Sequence, residues 1–172
     1  MHKKIKRDLL DSINPGDALY VLKVLMNGDS KLTDKVFHIL MERLSEIDSD
    51  QITMDVYYKL GQLEVEELWD RSGKTRYGYV EPSEEAWVMF EEVIESFVEE
   101  MIKYQKLGMS LEAKKYCIGI IKGIQEYERK SESDFKNWAT DAPIEYIDRV
   151  LDEWKKGNPD STDIAEVEGV VW

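Results

Sequence analysis

Residues 84–106 read EEAWVMFEEVIESFVEEMIKYQK, and their apolar side chains recur with the period of an α-helix. The apolar face contains Phe90, Val93, Ile94, Phe97, Val98, Met101 and Ile102. The opposite face carries Glu91, Glu92, Glu95 and Glu99. This separation predicts a long amphipathic helix that packs on a core. Gly108 follows, where a left-handed residue commonly ends a helix.

The same spacing recurs along the rest of the chain. It predicts a first helix through Ile5, Leu9, Leu10 and Ile13, and a short second helix that is capped by Asp17 and ends at Asn27. A third helix begins at Ser30 or Thr33. Further helices are predicted from about Thr53 to Asp70, Leu111 to Arg129 and Pro143 to Lys156. No convincing pair of strands is visible. We expect an all-α fold of about seven helices, paired as antiparallel hairpins in a right-handed repeat-like stack or an irregular bundle.

The chain length of 172 residues and the hydrophobic content of 42% fit one globular domain. We expect a single α-helical domain over residues 1–157. Residues 158–172 read NPDSTDIAEVEGVVW and show no helical period, which predicts a flexible acidic tail.

Other classes of protein are disfavoured by what the chain lacks. No apolar run reaches the length of a membrane span, and the basic start MHKKIKRDLL is not followed by the apolar segment of a secretory signal. The single cysteine, Cys117, allows no internal disulfide and no multi-cysteine zinc site. We therefore expect a cytoplasmic protein without a cofactor.

The formal net charge of −13 argues against binding to nucleic acid, because phosphates are neutralised by cationic surfaces. A mimic of nucleic acid, in which carboxylates imitate phosphates, is the alternative that this charge leaves open.

Residues 68–87, LWDRSGKTRYGYVEPSEEAW, interrupt the helical pattern with cations and aromatic side chains. A phosphate-loop interpretation of GKT fails, because Leu68 stands where that motif needs glycine and no strand precedes it. The candidate partner-binding residues are Trp69, Arg71, Lys74, Arg76, Tyr77, Tyr79 and Trp87. In one interpretation they contact an acidic peptide or a phosphate. In the other, the aromatic residues pin a loop and the cations balance the acidic stretch that follows, whose helix Ser83 would cap.

The same stretch, together with KLGMSLEAKKYCIGIIKGI at residues 106–124, resembles a helical segment of uncharacterised prokaryotic proteins, some of which carry a SWIM-type zinc finger upstream. The resemblance covers roughly residues 55–154, and its most specific features are WDRSG at 69–73, GYV at 78–80, Ala86 with Trp87, and Gly119 with Gly123. It implies a helical-repeat (HEAT- or TPR-like) scaffold. The ligands of the zinc finger are absent here, so its nucleic-acid role does not carry over.

Gly119 and Gly123 stand four residues apart, which places them on one face of a predicted helix. The absence of side chains at both positions predicts close contact with a neighbouring helix, which must offset the cost of glycine in a helix. Cys117 lies nearby and is expected to be a small buried apolar residue, because no histidine is close to it in sequence.

Two sets of side chains have the spacing of metal ligands. Asp34, His38 and Glu42 follow one another at steps of four, a pattern that is more typical of a solvated helix face. The pairs Glu64-x-x-Glu67 and Glu92-x-x-Glu95 lie on consecutive predicted helices. They permit an alternative function, that of a Mg²⁺-dependent all-α nucleotide pyrophosphohydrolase.

The sequence as a whole favours a non-catalytic interaction or scaffold module whose helical hairpins bind a protein or peptide partner. Aromatic residues of the 68–87 stretch would anchor that partner, and its cations would provide charge selectivity.

Overall fold

The computed structural model describes residues 12–76 and 78–171 and confirms the all-α fold. Its α-helices are α1 (Pro15–Met26), α2 (Ser30–Leu44), α3 (Ser49–Gly61), α4 (Val65–Arg71), α5 (Pro82–Lys106), α6 (Ser110–Lys130), α7 (Ala142–Lys155) and α8 (Ser161–Glu168). A 3₁₀ helix spans Asp134–Trp138, and two short strands are β1 (Gly73–Thr75) and β2 (Gly78–Val80). The helix predicted through Ile5, Leu9 and Leu10 lies outside the described residues, as does Tyr77.

The chain divides into two compact units, the first ending at Glu46 and the second beginning at Ile47. Helices α1 and α2 of the first unit contact each other, but neither contains a buried residue. The buried apolar side chains of the described residues begin at Ile52 and end at Val167. The apolar residues of α1 and α2 are thus not among the buried ones. The single domain expected over residues 1–157 stays a prediction.

Helix α6 lies at the centre of the second unit and contacts α3, α5, α7 and α8. Its contact with α3 is made through the two glycines. A Cβ atom on Gly119 would lie 2.7 Å from the Cβ of Ile52, and one on Gly123 would lie 2.5 Å from the Cβ of Val56. The hydroxyl of Thr53 donates to the Gly119 carbonyl at 3.3 Å. The predicted close packing is confirmed, and only glycine allows so short an approach.

The single helix predicted from Thr53 to Asp70 is wrong, because the chain breaks it into α3 and α4 after Gly61. The N–H of Gln62 bonds back to the Lys59 carbonyl at 3.2 Å and closes the last turn. Glycine at the end of α3 weakens continuation of the helix. Leu60 and Leu68 are both fully buried, so each helix keeps its own contact with the core.

The strands β1 and β2 form an antiparallel hairpin that the sequence analysis did not expect. Gly73 pairs with Val80, Lys74 with Tyr79, and Thr75 with Gly78. The φ angles of Gly73 and Gly78 are +87° and +139°, values that side chains rarely tolerate. Gly78 borders the turn of the hairpin, whereas Gly73 lies at its open end, just after α4, and glycine allows the chain to change direction at both places.

The C-terminal segment also differs from the flexible tail that was expected, since Ser161–Glu168 forms α8. The Asp160 side chain caps it by accepting from the N–H groups of Thr162 and Asp163. Val167 is fully buried, and Lys114 of α6 bonds to Asp163 and Glu166 at 2.7 and 2.8 Å. Helix α8 is therefore held by one buried valine and by hydrogen bonds from Lys114, and it lacks the longer series of apolar residues from which a helix is usually predicted.

Helix ends agree with the predictions in part. Gly108 has a φ of +72° after α5, and Pro143 lies in the first turn of α7, both as predicted. The caps predicted at Asp17 and Ser83 are wrong. Asn14 caps α1 by accepting from the N–H of Asp17, and α5 begins at Pro82, whose fixed φ suits the first helical position.

Candidate functional site

Arg71 is the most heavily paired of the candidate residues, and its partners lie on α5. Its Nε donates to Glu85 at 2.6 Å, and its two terminal nitrogens donate to both oxygens of Glu92 at 2.9 and 2.8 Å. Glu67 lies 3.7 Å away on α4 itself. These hydrogen bonds lower the pKa of Glu92 and raise that of Arg71. Arg71 thus fixes α4 to α5, as the charge-balancing interpretation requires.

The remaining members of the predicted patch lie in separate surroundings. Lys74 and Tyr79 are exposed neighbours across the β-hairpin, and Arg76 is exposed in its turn. Trp87 is half-buried, with its ring centre 6.0 Å from that of Tyr146 on α7. Trp69 is half-exposed and meets Trp138 edge to face at 4.9 Å. Trp69 and Trp87 thus pack on side chains outside the loop.

The candidate metal ligands lie beside a cation or on exposed surfaces. Glu67 and Glu92 both approach the guanidinium of Arg71, which supplies the positive charge between them. Asp34, His38 and Glu42 are all exposed on α2. Among residues 12–76 and 78–171, no group of three or more histidine, cysteine or acidic side chains has the geometry to hold a metal ion.

Cys117 is fully buried in α6, and burial raises the pKa of its thiol to about 12. A thiol with this pKa stays protonated at neutral pH, and only the thiolate is a strong nucleophile. The prediction that Cys117 is a small buried apolar residue is confirmed.

A cleft of about 930 Å³ opens where two chain connections meet in the second unit. One wall runs from the end of α3 into the start of α4, and the other joins α6 to the 3₁₀ helix. It is lined by Tyr57, Tyr58, Gly61, Gln62, Leu63, Glu64, Val65, Glu66, Ser131, Glu132, Ser133 and Asp134. We call it the acidic cleft.

Its charge is of one sign. Glu64, Glu66, Glu132 and Asp134 are exposed carboxylates, and no basic side chain of residues 12–76 and 78–171 lines the cleft. None of the four forms an ion pair within the described part of the chain. In contrast, at least eight of the fifteen basic residues of the second unit form an ion pair with a carboxylate.

Aromatic rings complete the acidic cleft. Tyr57 and Tyr58 at the end of α3 lie edge to face, with ring centres 5.4 Å apart. Farther along the two walls, Trp69 of α4 contacts Trp138 of the 3₁₀ helix and ties the walls together. The sequence pattern indicated Trp69 but not the cleft, because the cleft depends on the break between α3 and α4. Gly61 was the signal that could have revealed it.

These features define an all-α protein with a helical hairpin, a second unit built around α6, and an acidic aromatic cleft in that unit. No helix in the described ranges is long and apolar enough to cross a membrane. Comparisons with protein-family models, curated proteins and solved structures give no match. The resemblance to segments linked to SWIM-type zinc fingers therefore stays a prediction.

Proposed function

We propose that this protein is a non-catalytic interaction module whose acidic cleft binds a basic segment of a protein or peptide partner. The observation that carries the proposal is the set of carboxylates that form no ion pair with any described residue and lie beside the Tyr57–Tyr58 pair. We place the module in the cytoplasm, as expected from the sequence.

The chemistry of the cleft favours lysine and arginine as ligands. Their cationic ends complement Glu64, Glu66, Glu132 and Asp134, and aromatic faces attract cations that approach within about 6 Å. The volume of about 930 Å³ is enough for several side chains of an extended segment. Residues 47–172 carry 29 acidic and 15 basic side chains, so the surrounding field also draws in a cationic partner.

The positions of the glutamates favour binding over hydrolysis of nucleotides. Glu92, one of the glutamates that the alternative interpretation assigns to Mg²⁺, is held by both terminal nitrogens of Arg71, and Glu67 lies beside the same guanidinium. An arriving Mg²⁺ would have to displace this cation. The cleft itself would repel the phosphates of a nucleotide, since its charged lining is entirely acidic.

The test is fluorescence anisotropy with a labelled peptide rich in arginine and lysine, compared with an acidic peptide of equal length. In the cleft variant, Glu64, Glu66 and Glu132 become Gln and Asp134 becomes Asn. The matched control changes Glu95 and Glu99 to Gln and Asp148 and Asp152 to Asn. These four are also exposed and without ion pairs in the described ranges, so both variants change the net charge equally.

We expect salt-sensitive binding of the basic peptide that weakens at least about tenfold in the cleft variant and far less in the control. Tyr58→Ala should also weaken it, whereas Tyr79→Ala on the β-hairpin should not. Equal losses in the two charge variants would mean that only the overall charge matters. No binding of the basic peptide, or a loss with Tyr79→Ala alone, would contradict the proposed site.

A further inference from the structure

Helix α1 exposes apolar side chains on a scale that a folded surface helix does not normally show. Residues 18–26 read ALYVLKVLM, with Lys23 the only polar side chain. A helix that is apolar on most sides is normally covered by other elements. Here no residue of α1 is buried, and its 12 residues are too few to span a membrane.

We call the exposed apolar residues of the two helices the hairpin face. Its members are Leu19, Tyr20, Val21, Val24 and Leu25 on α1 with Phe37, Ile39 and Leu40 on α2. Tyr20 and Val24 lie one turn apart, and so do Val21 and Leu25, whereas Leu22 and Met26 are half-buried. Only the side of α1 that carries Leu22 and Met26 is partly covered, and its other sides are exposed to solvent.

We propose that the hairpin face is covered by the hairpin of a second copy of this chain, giving a two-fold symmetric four-helix assembly. The inference is independent of the acidic cleft, which lies in the other unit. A hairpin without a buried residue gains too little from its own packing to offset the entropy of ordering two helices. Two such hairpins together can enclose a shared core.

The area available matches what a dimer needs. Eight side chains of this size, each between 45% and 70% exposed, present on the order of 800 Å², which is about the area that each partner buries in a stable interface. The exposed large apolar residues of the second unit are instead dispersed over several elements, from Met54 on α3 to Ile144 on α7. Among the described residues, the exposed apolar side chains are thus most concentrated on the hairpin, where two copies could pack against each other.

Charge also favours a second copy. Residues 12–46 carry five acidic and four basic side chains, so two hairpins repel each other little, unlike the strongly acidic second unit. Along α2, Lys31 and Lys35 are interrupted by Asp34, and Glu42 is followed by Arg43, so neither half of the helix carries more than one net charge. Two α2 helices can therefore approach each other across a two-fold axis without strong repulsion.

The test is the mass of the full chain in sedimentation equilibrium, from about 1 to 100 μM, a range that suits an interface of this size. The protomer mass is 20.1 kDa. The test variant is Tyr20→Glu with Phe37→Glu, at positions 70% and 63% exposed, so neither change removes a large contact within the protomer. The matched control is Tyr79→Glu with Ile144→Glu, which are 64% and 56% exposed in the second unit.

We expect the parent and the control to be dimers and the test variant to associate at least about 30-fold more weakly. Helix content, measured by circular dichroism, should fall when the parent is diluted through its dissociation range, which requires no variant. A parent that stays monomeric at 100 μM, or a test variant that dimerises as well as the control, would overturn the proposal. So would a monomeric parent that co-sediments with phosphatidylcholine–phosphatidylglycerol vesicles, because a lipid surface would then cover the face.

Discussion

Single residues set the tightest contact of the second unit. Gly123 has no side chain where Val56 and the Thr53 carbonyl approach, and Gly119 has none beside Ile52 and Ser49. The spacing of the two glycines was enough to predict a close contact with another helix. It could not identify that helix as α3, because Thr53 and Gly119 are 66 residues apart and no local pattern encodes their pairing.

Gly123→Ala should lower the free energy of unfolding by about 1–3 kcal/mol, because its methyl group would overlap Val56 and the Thr53 carbonyl. The better helix propensity of alanine offsets about 1 kcal/mol of the clash. Gly61→Ala at the end of α3 is the control, since no atom lies within 4 Å of its added methyl group. Urea denaturation of both variants measures the difference, and an equal midpoint for the two would contradict the packing argument.

Arg71→Gln should destabilise the protein by about 1–2 kcal/mol near neutral pH, because it breaks charge-assisted hydrogen bonds that are only partly exposed. Lys74→Gln, at an exposed position on β1, should cost less than about 0.5 kcal/mol.

The effect of Arg71→Gln should also depend on pH. The pKa of Glu92 is lowered from its usual 4.5 by Arg71, so the folded state binds its proton less readily than the unfolded chain does. The stability from this pair is present above that value and is lost as the pH falls through the lowered pKa of Glu92. The difference in unfolding free energy between parent and variant should therefore be largest near pH 7 and should shrink as the pH is lowered below 4.5, which denaturation curves over this range measure.

Whole elements were harder to predict than residues. The amphipathic pattern of α5 was sufficient to predict that helix, because the pattern extends over many turns. The break between α3 and α4 was missed because the apolar period continues through Gly61, and the β-hairpin was missed because each strand has three residues. Short elements are fixed by tertiary contacts and give little signal of their own.

Helix α8 offers a test at this scale. Val167→Ala should lower the free energy of unfolding by about 1–2 kcal/mol, because Val167 is fully buried. Val88→Ala is the matched control, since Val88 on α5 is 42% exposed. Thermal unfolding compares them. Equal midpoints would mean that α8 does not hold its place against α6 and α7 in solution.

At the scale of the whole molecule, charge and apolar surface are separated. The second unit holds the described core and carries 29 acidic and 15 basic side chains, whereas residues 12–46 of the first unit are close to neutral and contain no buried residue. The numbers of charged and apolar residues in each part of the chain can be read from the sequence. It could not show where the core ends, because the apolar residues of α1 and α2 have the same spacing as those that are buried.

Residues 47–172, produced alone, should fold with nearly the unfolding free energy of the second unit in the full chain, because the buried apolar side chains seen in the structure all lie within that range. Denaturation followed by tryptophan fluorescence measures this directly, since the five tryptophans all lie after residue 46. A fragment that unfolds at a much lower urea concentration would show that the hairpin contributes to the core.

The seam between α3 and α6 also bears on the order in which the chain folds. Ile52 and Val56 find their opposing surface only at Gly119 and Gly123, so α3 must wait during synthesis until more than sixty further residues have emerged. At about 5–20 residues per second, this delay lasts several seconds, far longer than a helix needs to form. Because one wall of the acidic cleft continues from α3 and the other from α6, a nascent chain should be unable to capture a partner there before α6 is complete.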